Sequence, residues 1–259
     1  MNAAARASSH YNTMRTFTLV LFALAACGGS SAPPPEVLSS HASEPLARGT
    51  AAPKITWADN TFVTATLPAV ARAAEVTVVA LRANDGGRGY PNLEIQVRDR
   101  NDKTIQSIAI MTSNEYETLA LDGKPSPVLL QRIEAANAEL AKLHGVHDLV
   151  PMKPLDLQKP PDGSDPHLAI GDNLDVDWNK DHLHVFPHNV DRAVTTVDGH
   201  GWLAPRHTSC AGCDVCENPA FLGAVYHAPA INIVVVELRY HGTDTCEEPG
   251  DQPHVVAWY

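Results

Sequence analysis

The sequence predicts an α+β body, a mainly antiparallel sheet that carries one long amphipathic helix and divides into two lobes. Three observations predict it. Short runs of alternating or β-branched apolar residues recur from residue 54 onward, separated by turn-forming stretches. One segment, 126–145, repeats its apolar residues at the helical period and has start and stop signals. A proline-rich stretch, PMKPLDLQKPPDGSDP at 151–166, parts the two halves.

The first lobe spans 54–150. Lys54–Trp57 and Thr61–Leu67 alternate in part, and Glu75–Ala83 is apolar and β-branched ahead of the turn NDGGRGYP at 84–91. Leu93, Ile95 and Val97 alternate with Glu94, Gln96 and Arg98, which predicts a strand with one wet face. Asn101-Asp102 turns the chain into Lys103–Met111, completing a hairpin. The stretch 112–120 reads as a short helix capped by Ser113. The long helix has Ser126 at its cap, Pro127 at its first position and Gly145 just past its end. Leu129, Ile133, Ala136, Leu140 and Leu143 share one face.

Residues 151–171 read as a linker, and 172–259 as a second β-rich lobe. Its strands are predicted at Leu174–Trp178, His182–Phe186, Ala193–Val197, Ile231–Tyr240 and the apolar stretch 254–259. Ile231–Tyr240 is apolar on both faces over its first six residues, the pattern of a central strand.

The N-terminal part is organised differently. Arg15 precedes a run, Phe17–Ala26, too short to span a bilayer and ending at small residues and Cys27. Leu24-Ala25-Ala26-Cys27 resembles the lipobox of bacterial lipoproteins. That resemblance implies a signal peptide over 1–26, cleavage before Cys27, and lipid on Cys27 as the anchor. It also makes Met14 a candidate start beside Met1. Residues 28–53, rich in Pro, Ser, Ala and Gly, read as a mobile tether behind the anchored cysteine. Gly28 stands where an aspartate would mark retention at the inner membrane, so the resemblance points to the outer membrane.

Charge narrows the partners. The chain has 19 Lys and Arg against 30 Asp and Glu, and losing Arg6 and Arg15 with the leader makes it more acidic still. Without a run of basic residues, nucleic acid and anionic lipid head groups are excluded as partners. Membrane attachment therefore rests on acyl chains.

Cys210, Cys213 and Cys216 stand at C-x2-C-x2-C spacing, and Cys246 follows thirty residues later. With Cys27 lipidated, four cysteines remain in an oxidising compartment, the arithmetic of two disulfides of open connectivity. A bridge to Cys246 would contribute about 3–4 kcal/mol in the chain-entropy model. The spacing also resembles the ligand run of bacterial [4Fe–4S] ferredoxins, although Glu247-Glu248 separate Cys246 from Pro249. No Arg-Arg precedes the apolar run, as export of a folded cluster protein would require. Four-thiolate zinc and a redox dithiol are the other readings of the same spacing.

His182 and His184 lie two apart and share one face of a strand, with His188, Asp191 and His200 downstream. Two imidazoles held on one strand face are a frequent start for a zinc or copper site. The same stretch also fits a half-buried strand pair with a solvated face. Asp175, Asp177 and Asp181 do not make an EF-hand, because Lys180 and Phe186 occupy the positions of its glycine and its bidentate acid. P-loop, dinucleotide and nucleophile-elbow motifs are absent. The reading that follows is a lipid-anchored, disulfide-stapled envelope protein that binds a protein or cell-wall partner without catalysis. The alternative is a metal-binding protein or metal-dependent hydrolase centred on His182, His184 and His188, with Asp191 or His200.

Overall fold

The computed structural model describes residues 51–83, 88–190, 192–199, 202, 207–208, 215–216, 220–240 and 250–258. Among them the chain is mostly antiparallel β-sheet with few helices, more β-rich than the α+β expectation. In chain order the first strands are β1 (Thr56–Ala58), β2 (Thr61–Val63), β3 (Ala69–Ala71), β4 (Val76–Ala83), β5 (Leu93–Asp99) and β6 (Thr104–Met111). Two helices follow, α1 (Tyr116–Leu119) and α2 (Pro127–His147). Short strands come next, β7 (Leu149–Pro151), β8 (Lys153–Pro154), β9 (Asp156–Gln158) and β10 (Leu168–Ile170). Then come β11 (Leu174–Asn179), β12 (His182–Pro187) and β13 (Thr195–Asp198). The chain closes with β14 (His207–Thr208), β15 (Val215–Cys216), β16 (Ala220–Ala228), β17 (Ile233–Tyr240) and β18 (Gly250–Ala257).

These strands make one large sheet in the order β6-β5-β4-β18-β17-β16-β8, with β3 and β7 branching from β4. A five-stranded sheet runs β13-β12-β11-β10-β9, and β1-β2 and β14-β15 are separate hairpins. β18 joins the two halves of the chain, pairing with β17 over Gln252–Ala257 and with β4 at Gly250 and Asp251. The stretch read as a linker, 151–171, supplies β8 to the large sheet and β9 and β10 to the smaller one.

The long helix forms where its signals place it. The Ser126 hydroxyl accepts from Leu129 N–H at 3.2 Å, and Pro127 opens the first turn. Leu129, Ile133, Ala136 and Leu140 are buried against Ile95, Val97 and Ile110, with Leu143 partly buried beside them. The helix does not stop at Gly145. It runs to His147, and Asp148 takes the left-handed cap at φ 49°, held by Arg72 Nε at 2.5 Å. Aspartate is among the few side chains that tolerate this conformation. A single 3-10 turn over Ser113–Glu115 leads into α1, and its cap is Thr112 rather than Ser113: Thr112 N–H and Oγ1–H both donate to Glu115 Oε2.

Two further differences come from contacts distant in sequence. The polar face of β5 is not wet, since Gln96 and Arg98 are buried. Arg98 Nη1 donates to the carbonyl of Pro253, so the C-terminal strand closes over that face. β16 does not appear in the strand pattern read from sequence, because Gly223 interrupts it. In the fold Gly223 sits at a β-bulge against Arg239, whose Cγ would lie 2.5 Å from an added Cβ.

A second core fills the space between the five-stranded sheet and β16–β18. It contains Ala169, Leu174, Val176, Trp178, Leu183 and Val185 from one layer and Leu222, Val225, Val234, Val236, Leu238 and Val256 from the other. The inner face of the small sheet is therefore dry, and its other face looks outward. Among the described residues no helix is long and apolar enough to cross a membrane.

Candidate functional site

The outward face of the five-stranded sheet carries the histidines. Strand alternation puts Leu183 and Val185 into the core and leaves His182, His184 and Phe186 on the other side. The hairpin between β11 and β12 turns at Lys180, whose φ is 60°, and this sets the register. His182 pairs with Asn179 and His184 with Asp177 on one flank; on the other, His182 faces Asp198 and His184 faces Thr196. The result is a ladder of acids and imidazoles across three strands.

The two predicted neighbours are together. Their ring centroids lie 6.4 Å apart with planes inclined by 15°. His182 Nδ1–H donates to Asp181 Oδ1 at 2.5 Å, and His184 Nδ1 shares a hydrogen bond of 3.0 Å with the Thr196 hydroxyl. His188 stands apart, beyond Phe186. Its Nδ1–H donates to the carbonyl of Asp172 at 3.1 Å and its Nε2–H to Asp175 Oδ1 at 3.0 Å. Both nitrogens thus serve as donors, the arrangement of an imidazolium, and the hydrogen bond to Asp175 pushes its pKa up. A ring in that state offers no lone pair to a metal. Among the described residues, no three His, Cys, Asp or Glu side chains converge as a metal site. Cys27, Cys210, Cys213, Cys246, Asp191 and His200 lie outside the described residues, and Cys216 belongs to β15.

Three polar groups escaped sequence reasoning because their partners are distant. Asp102, in the β5–β6 turn, accepts from Arg98 Nη1 at 2.7 Å, from His254 Nδ1–H at 2.7 Å and from Val255 N–H at 2.8 Å. Trp202 stacks on the His254 ring at 4.2 Å, and Tyr240, its phenol pushed up to about 12 by burial, donates to the Trp202 carbonyl at 2.6 Å.

Glu237 lies on β17 beside a pocket of about 40 Å³ lined by Thr64, Arg82, Tyr226 and Pro253 among others. Burial, reinforced by Asp251, pushes its carboxyl up, against the pull of Arg239. Ligand pockets usually measure some 300–1,000 Å³, so this one suits a water or a single ion.

His227 on β16 is 5% exposed, and its Nδ1 makes no hydrogen bond among the described residues. Burial, with Lys153 nearby, pushes its pKa down. The signal for His227 was its place in an apolar strand, and that strand was the one the bulge concealed.

Compared with protein families, curated proteins and solved structures, the chain matches none.

Proposed function

We propose that this chain is a lipid-anchored cell-envelope protein whose β-rich body is a non-catalytic binding module. The observation that carries the reading is Leu24-Ala25-Ala26-Cys27 at the end of a short apolar run, followed by a Pro- and Ser-rich tether. Acyl chains on Cys27 hold the body at the membrane, on the oxidising side of the envelope and in the outer membrane by the Gly28 argument. There Cys210, Cys213, Cys216 and Cys246 pair as two disulfides.

A binding role suits the two-layer fold. One sheet face is spent on the core, and the other presents Asp175, Asp177 and Asp198 with His182 and His184 to a protein or cell-wall partner. The acidic face excludes nucleic acid and anionic lipid as partners.

Labelling with radioactive palmitate in an expressing bacterium tests the anchor. The wild-type chain takes up label, and Cys27→Ala does not and stays unprocessed. Label persisting in Cys27→Ala overturns the reading. Thiol titration of the unfolded, unreduced product tests the staples: none of the four cysteines reacts, whereas four reactive thiols remove the disulfides.

A further inference from the structure

We propose that the outer edge of β6, with the flank of α2 above it, is a self-complementary surface on which a second copy of this chain docks about a two-fold axis. β6 ends the large sheet, and among the described residues no strand pairs with its outer edge. Its sequence, TIQSIAIM, holds neither a charged residue nor a proline, the devices that usually keep such an edge from pairing. Between the two register shifts against β5, residues 106–109 pair regularly, so this stretch presents an even row of main-chain groups.

Two contacts fix α2 along β6. Arg132 Nη1 donates to the Ile110 carbonyl at 3.1 Å, and Gln106 Nε2 donates to Glu139 Oε1 at 3.4 Å. The helix therefore runs opposite to the strand, and its stretch midway between Arg132 and Glu139 lies over Ile108. Val128, Arg132, Ala135, Glu139 and Lys142 share the flank on this side, and none of them is buried. The opposite flank is engaged within the chain: Asn137 bonds the main chain of Ile55, and His144 the carbonyl of Leu149.

A two-fold axis perpendicular to the sheet at Ile108 pairs β6 antiparallel with its copy and keeps both α2 helices on one face. α2 packs over both β5 and β6, touching Ile95 and Val97 as well as Ile110. Two strand spacings of about 4.8 Å then part the helices, roughly the 10 Å at which helices pack. The same axis crosses α2 at Ala135 and Ala136, small residues that permit the approach. Arg132 of each copy faces Glu139 of the other, and both side chains are partly exposed. One axis thus serves the strand edge and the helix charges together. The surface uses no residue of the lipid anchor or of the five-stranded sheet, so its failure and that of the proposed function are separate results.

Sedimentation equilibrium of the purified full-length chain in density-matched detergent tests the surface. A two-chain species forms, and amide hydrogen exchange at 106–109 slows as protein concentration rises. Ala135→Glu sets two carboxylates against each other at the axis and weakens association by about tenfold or more. Arg132→Glu also weakens it, and adding Glu139→Arg restores it, which mere loss of the Arg132 bond to Glu115 within one chain would not allow. Ala141→Glu, on the opposite flank, leaves association unchanged. Positions 135 and 141 are exposed, so circular dichroism of both variants stays that of the wild type. A one-chain mass at every concentration the protein reaches overturns the proposal. So does a two-chain species that neither Ala135→Glu nor Arg132→Glu weakens.

Discussion

Asp102 and Val255, 153 residues apart, are joined by a hydrogen bond of 2.8 Å from the Val255 N–H to Asp102 Oδ1. The bond answers a problem of sheet geometry. β18 is paired along one edge by β17, but β4 pairs its other edge only at Gly250 and Asp251. Where the strands part, the main-chain groups of Pro253 and Val255 face that open edge. Arg98 takes the Pro253 carbonyl and Asp102 takes the Val255 N–H. Proline is tolerated at 253 because the N–H it lacks would have pointed away from the β17 ladder.

Asp102→Ala therefore removes an edge cap and a counter-ion together. It strands the Arg98 guanidinium, which is 8% exposed. The expected loss is about 3–5 kcal/mol, the usual cost of breaking a buried ion pair on one side, read from the urea midpoint. Burial raises the Asp102 pKa, but His254, Val255 and Arg98 together outweigh it and hold the carboxyl below its ordinary value. A depressed carboxyl stabilises the fold above its unfolded pKa. That contribution is lost as pH falls through the folded value, and Asp102→Ala shows no such acid-dependent component.

His227 gives a second pH response, in a different window. Its folded pKa is pushed down by burial, so on acidification the unfolded chain takes a proton before the folded one does. Stability is full above the ordinary histidine value of about 6.5 and falls as pH drops below it. The difference in unfolding free energy between wild type and His227→Leu, followed from neutral pH downward, isolates this component. A difference that does not change with pH contradicts the assignment.

Glu237 works in the opposite sense. Its carboxyl is pushed up, so the fold loses stability as pH rises from the unfolded value through the folded one. Glu237→Gln keeps the shape without the charge. It should raise the thermal midpoint at neutral pH and do much less at pH near 4, where the wild-type carboxyl is already protonated in the fold.

The helix face is tested by a pair of truncations. Leu140→Ala opens a hole in the first core and should cost about 2–5 kcal/mol. Val146, six residues along and 76% exposed, should change stability by roughly 0.5 kcal/mol or less when cut to alanine.

What could be read from sequence follows the range of the forces involved. Ser126 and Pro127 mark the helix start because a cap acts within one turn. His182 and His184 share a face because alternation is a local property of a strand. Local signals end the helix at Gly145, a favoured stop, yet Asp148 is the residue that Arg72 holds in the left-handed turn. The face of Gln96 and Arg98 reads as wet from sequence because its cover, Pro253, lies 155 residues downstream of Arg98. His188 is close to the other two in sequence, whereas Asp172 and Asp175 fix it separately in the fold.

The place of β18 has a consequence for how the chain comes together. It follows every other described strand in chain order, yet lies in the middle of the large sheet between β4 and β17. While a ribosome is still making residues 250–257, β17 has a bare flank, β4 lacks its partner at Arg82 and Ala83, and no strand pairing joins β4 to β17. Local hairpins such as β5–β6 and β11–β12 can close early. Completion of the sheet waits on a long-range, entropically slow step, and a chain cut short at that strand loses the join between both halves rather than a fraying end.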